Sequence, residues 1–276
     1  MLRPIVIAYV VVCLVLYLLQ EKLMFPAHDT QGRPDAVVMP REDREIINLK
    51  LPDGTPFVGM LSKTTKADWT AAPTVLFFYG NGNYLKQCAD LAKTWRSMGV
   101  NVFIVEYPGY GMSGGKPGEK PFYAAADAAW EFLTTKAGID AKKIIAGGWS
   151  LGGGSAIDLA SRKPVAGLFT LSTFSSMPAI AGHKYWFLPT RLLVTHKFDN
   201  ASKIGKVTCP TLIMHGRDDH FIPWTMSKRL SELAGGPVTT VFFDGYDHND
   251  GWEASKLIDP ALQALFDRVR EMPNAK

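Results

Sequence analysis

The chain has 276 residues, of which 47% are hydrophobic and 20% are charged, so it can bury a sizeable core and global disorder is not expected. Its formal net charge is only +4, and no basic tract is interleaved with aromatic residues, which argues against a nucleic-acid partner. Cys13, Cys88 and Cys209 form neither a CxxC pair nor a cluster with zinc-ligand spacing, and we interpret them as inert thiols.

An uncharged apolar run over residues 5–19 follows Arg3. As a helix this run would be roughly 22 Å long, shorter than the hydrocarbon core of a bilayer at ~30 Å, but apolar residues on both sides can extend it. A cleaved signal peptide and a buried helix of a soluble protein are the alternatives. Because no small-residue pair of the A-x-A kind follows the run, we favour an uncleaved transmembrane signal-anchor helix over residues 1–25.

The few charges near this helix predict its orientation. The amino group and Arg3 precede it, whereas acidic and basic residues balance each other after it. The positive-inside rule then places the N-terminus in the cytoplasm. We therefore expect a single-pass membrane protein whose large C-terminal part lies on the non-cytoplasmic side.

Strand and helix patterns alternate through most of the remaining chain. Residues 26–43 are polar and contain prolines, which predicts a tether, and two β-like runs joined by a turn over residues 52–55 follow. Further strands are predicted over residues 74–79, 100–107, 142–148, 165–172, 210–216 and 239–245, and helices over residues 84–98, 122–135, 150–161 and 253–270. This order predicts a mostly parallel sheet with helices on both faces, with its chemistry at the carboxyl ends of the strands.

The most informative motif is the glycine-rich stretch "KKIIAGGWSLGGGSA" over residues 142–156. It lacks the lysine of a phosphate-binding P-loop, and the G-x-G-x-x-G match over residues 109–114 runs into prolines instead of opening a helix. Residues 148–152 read G-x-S-x-G between a predicted strand and a predicted helix, which is the pattern of a nucleophile elbow. We therefore predict that Ser150 is a catalytic nucleophile.

A serine hydroxyl needs a base, and the base needs a carboxylate. Of the six histidines, His248 follows the last predicted strand, whereas His215 ends a strand and is expected to point into packing. Asp218 and Asp219 follow the preceding strand. The chain order serine, aspartate, histidine is the order of a triad on this kind of sheet.

The oxyanion of an acyl-transfer reaction needs two N–H donors. The amide of Leu151, directly after the nucleophile, is the first candidate. The backbone N–H of Asn81, in "FFYGNGNYL", is the second, with Asn83 as its alternative. The same residues can also form a plain turn without a catalytic role.

Five motifs together resemble the α/β-hydrolase superfamily, and the chain looks closest to its membrane-anchored "alpha/beta hydrolase domain-containing" serine hydrolases. They are "YGNGNYL", "VEYPGYGMSGGKP", "GWSLGGGSA", "HGRDDHFIP" and "GYDHND". The resemblance implies an α/β-hydrolase catalytic domain over residues 44–276 and aligns Asp219, rather than Asp218, with the catalytic acid. One departure stands out, because the family usually has histidine where this chain has Tyr79.

The resemblance also implies a short lid over residues 174–198 and a substrate class. The apolar lid residues either cover the core or form an acyl pocket, so Trp186, Phe187 and the elbow residue Trp149 are the candidate substrate-binding residues. The implied function is a serine esterase, thioesterase or lipase-like hydrolase that acts on a small-molecule or lipid acyl substrate at a membrane, without a metal or organic cofactor. An acyltransferase on the same acyl-enzyme and a non-catalytic binding protein with this fold are the alternatives.

Overall fold

The computed structural model describes residues 2–65 and 68–272, and these residues form an eight-stranded sheet in the order β1-β2-β4-β3-β5-β6-β7-β8. Only β2 is antiparallel to its neighbours β1 and β4, whereas all other neighbours run parallel. The strands are β1 Glu45–Lys50, β2 Pro56–Ser62, β3 Thr74–Phe78, β4 Asn101–Val105, β5 Ile144–Trp149, β6 Gly167–Leu171, β7 Thr211–Gly216 and β8 Val238–Phe243. The predicted fold class, a mostly parallel sheet surrounded by helices, is confirmed.

Burial explains why the central strands are continuous apolar runs. Every residue of β3, β4, β5, β6 and β7 is buried, because helices cover the parallel part of the sheet. The edge strands β1 and β8 mix exposed and half-buried residues instead. The carboxyl ends of β3, β5, β7 and β8 therefore lie together at one edge of a buried sheet.

The helices surround this sheet and largely follow the predicted pattern. They are α1 Leu2–Met24, α2 Leu85–Ser97, α3 Glu119–Glu131, α4 Gly152–Ala160, α5 Met177–Lys184, α6 Thr190–Leu193, α7 Asn200–Lys203, α8 Trp224–Leu233 and α9 Ser255–Glu271. The short helices α5, α6 and α7 lie in segments for which no helix was predicted. Among the predicted helices, α4 begins two residues later than expected, because Ser150 adopts a left-handed backbone conformation with φ of 53°. A left-handed residue cannot belong to a right-handed helix.

The segment over residues 26–43 differs from the predicted tether, because it packs against the domain. Ala27, Ala36 and Val38 are buried, and short helical turns over Pro26–Thr30 and Pro34–Ala36 hold the chain close. Its start is fixed by Phe25, which is fully buried between the rings of Phe122 and His196. The polar composition of the segment gave no sign of these few buried apolar residues. We call residues 26–43, which pack against the domain, the strap.

The helix α1 stands out from the rest of the molecule by its exposure. It is the one helix in residues 2–65 and 68–272 that is long and apolar enough to cross a membrane, with a mean hydropathy of 2.1 over its most apolar window and none of that window buried. It contacts the lid, where α5 and α6 lie, the strap that follows it, and the loop at residues 80–83. Gln20 and Tyr9 of α1 hydrogen-bond to the lid backbone.

Candidate active site

The elbow after β5 holds Ser150 in a conformation that only close-packed glycines allow. A Cβ on Gly148 would lie 2.4 Å from the carbonyl oxygen of Gly152, and one on Gly152 would lie 1.9 Å from the carbonyl oxygen of Phe78. Ser150 itself has a positive φ, which costs energy for a residue with a side chain. The tight turn presses the start of α4 against the end of β3 and so brings Ser150 next to the loop at residues 80–83.

The side chain of Ser150 meets His248 at the carboxyl edge of the sheet. Its Oγ lies 2.9 Å from Nε2 of His248, which sits on the loop between β8 and α9. Asp247 fixes that loop, because its carboxylate accepts the amide protons of His220 and His248. These two hydrogen bonds lower the pKa of Asp247, and they tie the histidine loop to the loop that carries the acid.

The acid loop after β7 brings Asp219, and not its neighbour Asp218, to the histidine. Asp219 Oδ2 lies 2.7 Å from Nδ1 of His248, and Oδ1 accepts the amide protons of Phe221 and Ile222. Burial on its own would raise the pKa of this carboxyl, but the hydrogen bonds from the two histidines and the backbone outweigh it and hold the pKa well below its usual range. Asp218 is exposed and instead accepts the amide proton of Gly245.

A second histidine touches the same carboxylate, and the sequence analysis missed its role. Nε2 of the fully buried His215 lies 3.0 Å from Asp219 Oδ2 and 3.0 Å from the carbonyl oxygen of Ile222, so this nitrogen carries a proton and donates. Its Nδ1 lies 2.7 Å from the hydroxyl of Ser227 on α8. The expectation that His215 points into packing is correct for its position, but the four-residue spacing to Asp219 was the signal that it also holds the acid.

In the part of the chain that the structure describes, the backbone amides of the two predicted oxyanion donors are free. Within the described residues, neither the Leu151 N–H nor the Asn81 N–H donates a hydrogen bond. The amide of Asn83, the alternative donor, is used by the carbonyl oxygen of Gly80 at 3.1 Å. Among these candidates, the geometry leaves Leu151 and Asn81 available to a developing oxyanion.

The loop that carries Asn81 is tied to the end of α1. The side-chain amide of Asn81 donates to the carbonyl oxygen of Met24, the last residue of α1, at 2.8 Å. The hydroxyl of Tyr110 donates to the carbonyl oxygen of Asn81 at 3.1 Å. These bonds use the side chain and the carbonyl oxygen of Asn81 and leave its backbone N–H without a partner among the described residues.

Tyr79, the departure from the family pattern, lies under this loop and not in the site. It is fully buried, donates its hydroxyl proton to Glu106 at 2.6 Å and accepts the amide proton of Tyr107 at 3.1 Å. Glu106 also accepts the amide proton of Leu85, at the first turn of α2. The tyrosine therefore joins β3, β4 and α2 beneath the oxyanion loop.

An open cleft of about 520 Å³ lies over Ser150. Its lining is mostly polar and consists of Gly80, Asn81, Gly82, Asn83, Trp149, Ser150, His220, Phe221, Asp247, His248, Asn249 and Asp250. The candidate Trp149 is among them, and its ring stacks beside His248 with a centroid distance of 6.3 Å.

The other two candidate substrate-binding residues, Trp186 and Phe187, do not line this cleft. They lie on the outer side of the lid with 84% and 52% of their surface exposed. The prediction that they line an acyl pocket over the nucleophile is not met by this arrangement. Composition showed that the lid is apolar, but it did not show which way its side chains face.

Known proteins similar to this chain include members of one fold family. A family described as "alpha/beta hydrolase fold" matches residues 73–192. An uncharacterized protein of Mycobacterium tuberculosis is 34% identical over 200 residues, which cover 72% of this chain and 69% of that protein. The alpha/beta hydrolase domain-containing protein 17C of mouse is 36% identical over 206 residues, which cover 73% of this chain and 61% of the mouse protein. The chain belongs to the α/β-hydrolase family.

Solved structures of α/β-hydrolases share the fold at low sequence identity. An alpha-beta hydrolase from Vibrio vulnificus superimposes with a TM-score of 0.70 at 22% identity, covering 88% of this chain and 93% of that one. A puromycin-hydrolyzing peptidase from Mycobacterium tuberculosis gives 0.69 at 19% identity, covering 86% and 41%. These likenesses concern the fold, while family membership supports hydrolase chemistry at the cleft.

Proposed function

We propose that this α/β-hydrolase is a serine hydrolase that cleaves a carboxylic ester or thioester. The observation that carries the proposal is the unbroken series of hydrogen bonds from Ser150 Oγ through His248 to Asp219, at 2.9 Å and 2.7 Å. In this geometry His248 Nε2 accepts the hydroxyl proton as Ser150 attacks the carbonyl carbon. Asp219 fixes the tautomer of His248 and stabilises the imidazolium that forms.

The remaining steps use the free amides and the open cleft. The N–H groups of Leu151 and Asn81 would hold the oxyanion of the tetrahedral intermediate. His248 then returns the proton to the leaving oxygen or sulfur, which leaves an acyl-enzyme on Ser150. A water molecule in the cleft, activated by His248, hydrolyses that acyl-enzyme and regenerates the serine.

The polar lining bears on which acyl groups fit. Trp149 and Phe221 supply the large apolar surfaces of the cleft, and Phe221 lies beside the lid, since the ammonium of Lys184 is 5.4 Å from its ring centroid. We propose that a short acyl group is held at Trp149 and that a longer apolar chain leaves the cleft past Phe221. A panel of acyl esters of increasing length checks this: no preference for any length would contradict an apolar acyl substrate.

Membrane anchorage by α1 is the second part of the proposal. The helix is apolar and none of its most apolar window is buried, although Tyr9 and Gln20 bond to the lid. The orientation with the catalytic domain outside the cytoplasm stays a prediction from the charges around Arg3. Protease treatment of intact cells checks it: digestion of the domain only after lysis would reverse the orientation.

Labelling by a fluorophosphonate tests the catalytic proposal most directly. Wild-type protein in detergent is expected to react, and Ser150→Ala is expected to lose the label completely. Ser231→Ala, at a half-buried serine of α8 outside the cleft, is the matched control and should label like the wild type. Folded wild-type protein that does not label would contradict an activated serine and favour a binding protein with this fold.

A further inference from the structure

The outer side of the lid presents large apolar side chains to its surroundings. Trp186 is 84% exposed, Leu192 is 82% exposed and Phe187 is 52% exposed. They lie within seven consecutive residues, and the rings of Trp186 and Phe187 are in edge-to-face contact with each other. An exposed cluster of this kind marks a surface that binds something apolar.

The lid runs alongside α1 over a long part of that helix. Near its carboxyl end, Gln20 donates to the carbonyl oxygen of Leu193 at 3.2 Å and accepts the amide proton of Thr195 at 2.8 Å. Eleven residues earlier, the hydroxyl of Tyr9 donates to the carbonyl oxygen of Phe187 at 2.8 Å. At 1.5 Å per residue, these two positions are roughly 16 Å apart along the helix.

These two contacts, 11 residues apart on α1, set the depth of the lid relative to a membrane that α1 crosses. If α1 crosses a bilayer with its uncharged run, Gln20 lies near one surface and Tyr9 lies about half-way through a hydrocarbon core of ~30 Å. Phe187, at the level of Tyr9, then cannot lie in water. The inference rests on the proposed anchorage of α1, and it concerns the catalytic domain rather than the helix itself.

The polar residues of α1 fit such a buried lid. Backbone N–H and C=O groups inside a bilayer must find partners within the protein. Tyr9 and Gln20 are polar residues of a largely apolar helix. Their side chains supply partners to three lid backbone groups, the carbonyl oxygens of Phe187 and Leu193 and the amide of Thr195. A helix that only anchored the chain would have no need of them.

The charges of the lid also fit an interfacial position. Arg191 is exposed beside the apolar cluster, and its long aliphatic stem lets the charged end reach the phosphate groups of lipids. Lys22 is exposed at the carboxyl end of α1, on the headgroup side.

We propose that the lid segment 185–193 lies in the near leaflet of the bilayer beside α1, with Trp186, Phe187 and Leu192 against acyl chains, so that the catalytic domain docks on a lipid surface. The inner end of the lid touches the cleft, where Lys184 lies over Phe221. An ester dissolved in the bilayer therefore reaches the cleft along the lid without crossing the water phase.

Spin-label accessibility in lipid nanodiscs tests the depth of the lid. Cys13 and Cys209 are replaced by alanine, while Cys88 stays, because it is buried and burial raises the pKa of its thiol, which keeps it unreactive. A nitroxide is then placed on Leu14→Cys in α1, on Trp186→Cys or Leu192→Cys in the lid, or on Leu257→Cys in α9 as the water-exposed reference. Dissolved oxygen reports lipid exposure, and a polar nickel chelate reports water exposure.

Labels on the lid and on α1 are both expected to be open to oxygen and protected from the nickel chelate, in contrast to the label on α9. If the α1 label is protected and both lid labels are as open to nickel as the α9 label, the lid proposal is wrong and the anchor stands. If the α1 label itself is open to nickel, the anchorage fails and the lid proposal fails with it.

Activity on two forms of substrate gives an independent readout. Leu192→Glu should hydrolyse a water-soluble short ester in detergent at the wild-type rate, but a long-chain ester embedded in phosphatidylcholine vesicles about tenfold more slowly, because a carboxylate resists transfer into lipid. Leu257→Glu, which changes an exposed leucine of α9, should leave both rates unchanged. An equal effect of Leu192→Glu on both substrates would overturn the proposal.

Discussion

The two halves of the candidate site are held in place by different parts of the molecule. Ser150, Asp219 and His248 come from the ends of β5, β7 and β8 and bond to one another inside the core. The loop at residues 80–83, which carries the second candidate oxyanion donor, is bonded to the last residue of α1 through the Asn81 side chain. The positions of Ser150, Asp219 and His248 depend on the sheet. The position of the loop at residues 80–83 also depends on the position of α1 relative to the domain.

This difference separates activation of the nucleophile from stabilisation of the transition state. The triad is expected to survive changes in the seating of α1, because none of its hydrogen bonds reaches that helix. The oxyanion loop is expected to respond to them, because a shift of Met24 would move Asn81. Substitutions on either half test whether the two functions are separable.

The largest effect is expected for Asp219→Asn. An amide nitrogen at the Oδ2 position would face His215 Nε2–H and His248, so His248 would be held in the wrong tautomer. We expect kcat to fall by about 10⁴-fold with little change in KM, as for other triads that lose their carboxylate. Steady-state kinetics on a soluble ester measure this.

Asp218→Asn is the matched control, since that carboxylate bonds the amide of Gly245 on the exposed side of the same loop. We expect it to stay within a few-fold of the wild-type rate. If Asp218→Asn lost activity as strongly as Asp219→Asn, the assignment of the acid would be wrong.

A smaller effect on the same half is expected for His215→Leu. This change removes a buried hydrogen bond to an ionised acid, which is worth about 1.5–3 kcal/mol, or roughly 10–100-fold in kcat if the bond acts by orienting Asp219. Rates are normalised to the number of sites that a fluorophosphonate titrates, so that unfolded protein does not count.

His215→Gln provides the positive control, because a glutamine amide can reach the position of Nε2 and donate to Asp219. Partial recovery of kcat in this variant is expected for a positioning residue. If both variants lowered the melting temperature while the rate per titrated site stayed unchanged, His215 would have a structural role alone.

On the oxyanion half, Asn81→Ala tests the tie to α1. The variant keeps the backbone N–H but loses the hydrogen bond to Met24, worth about 1 kcal/mol, so we expect kcat to fall roughly five- to tenfold without a change in KM. Asn83→Ala, in the same loop, loses the hydrogen bond to Gln87 but keeps the bond between Asn81 and Met24, and it should be near wild type. Equal losses in the two variants would point to loop stiffness rather than to the tie.

The sequence predicted the parts of this site that local pattern controls, and it missed the parts that depend on distant contacts. The elbow, the acid loop and the histidine loop each follow an apolar strand, and a parallel sheet brings such ends together. The bond between Asn81 and Met24 joins residues 57 positions apart, and no periodicity encodes it. The outward direction of Trp186 is equally invisible to composition, because an apolar side chain suits either a core or a lipid surface.

At the start of α4 and in the strap at residues 26–43, local sequence pattern also predicted the wrong backbone structure. Helix propensity favoured a start at Ser150, but the strained turn that aims its Oγ delays the helix to Gly152. Prolines and charges suggested a loose tether, yet Phe25 and Val38 are enough to bind that segment to the core. In both places tertiary contacts override a local preference.

The smallest expected effect concerns Glu106, which lies beneath the oxyanion half. Burial raises the pKa of this carboxyl, although hydrogen bonds from the Tyr79 hydroxyl and the Leu85 and Met112 amides partly offset it. The unfolded chain, with an ordinary glutamate pKa of about 4.3, therefore releases this proton first as the pH rises. The stability tied to Glu106 is complete below that value and is lost progressively as the pH rises toward the folded pKa.

Glu106→Gln removes this titration and should flatten the pH dependence. Between pH 4 and pH 7 in detergent, the melting temperature of the wild type is expected to fall relative to that of the variant as the pH rises. Only the wild type has a buried carboxyl at this position, and ionising it there costs free energy. Glu45→Gln, at an exposed ion pair with Lys63, should follow the wild type in parallel. A constant difference between Glu106→Gln and wild type at every pH would mean that the buried network of Tyr79 and Glu106 leaves the pKa of this carboxyl unshifted.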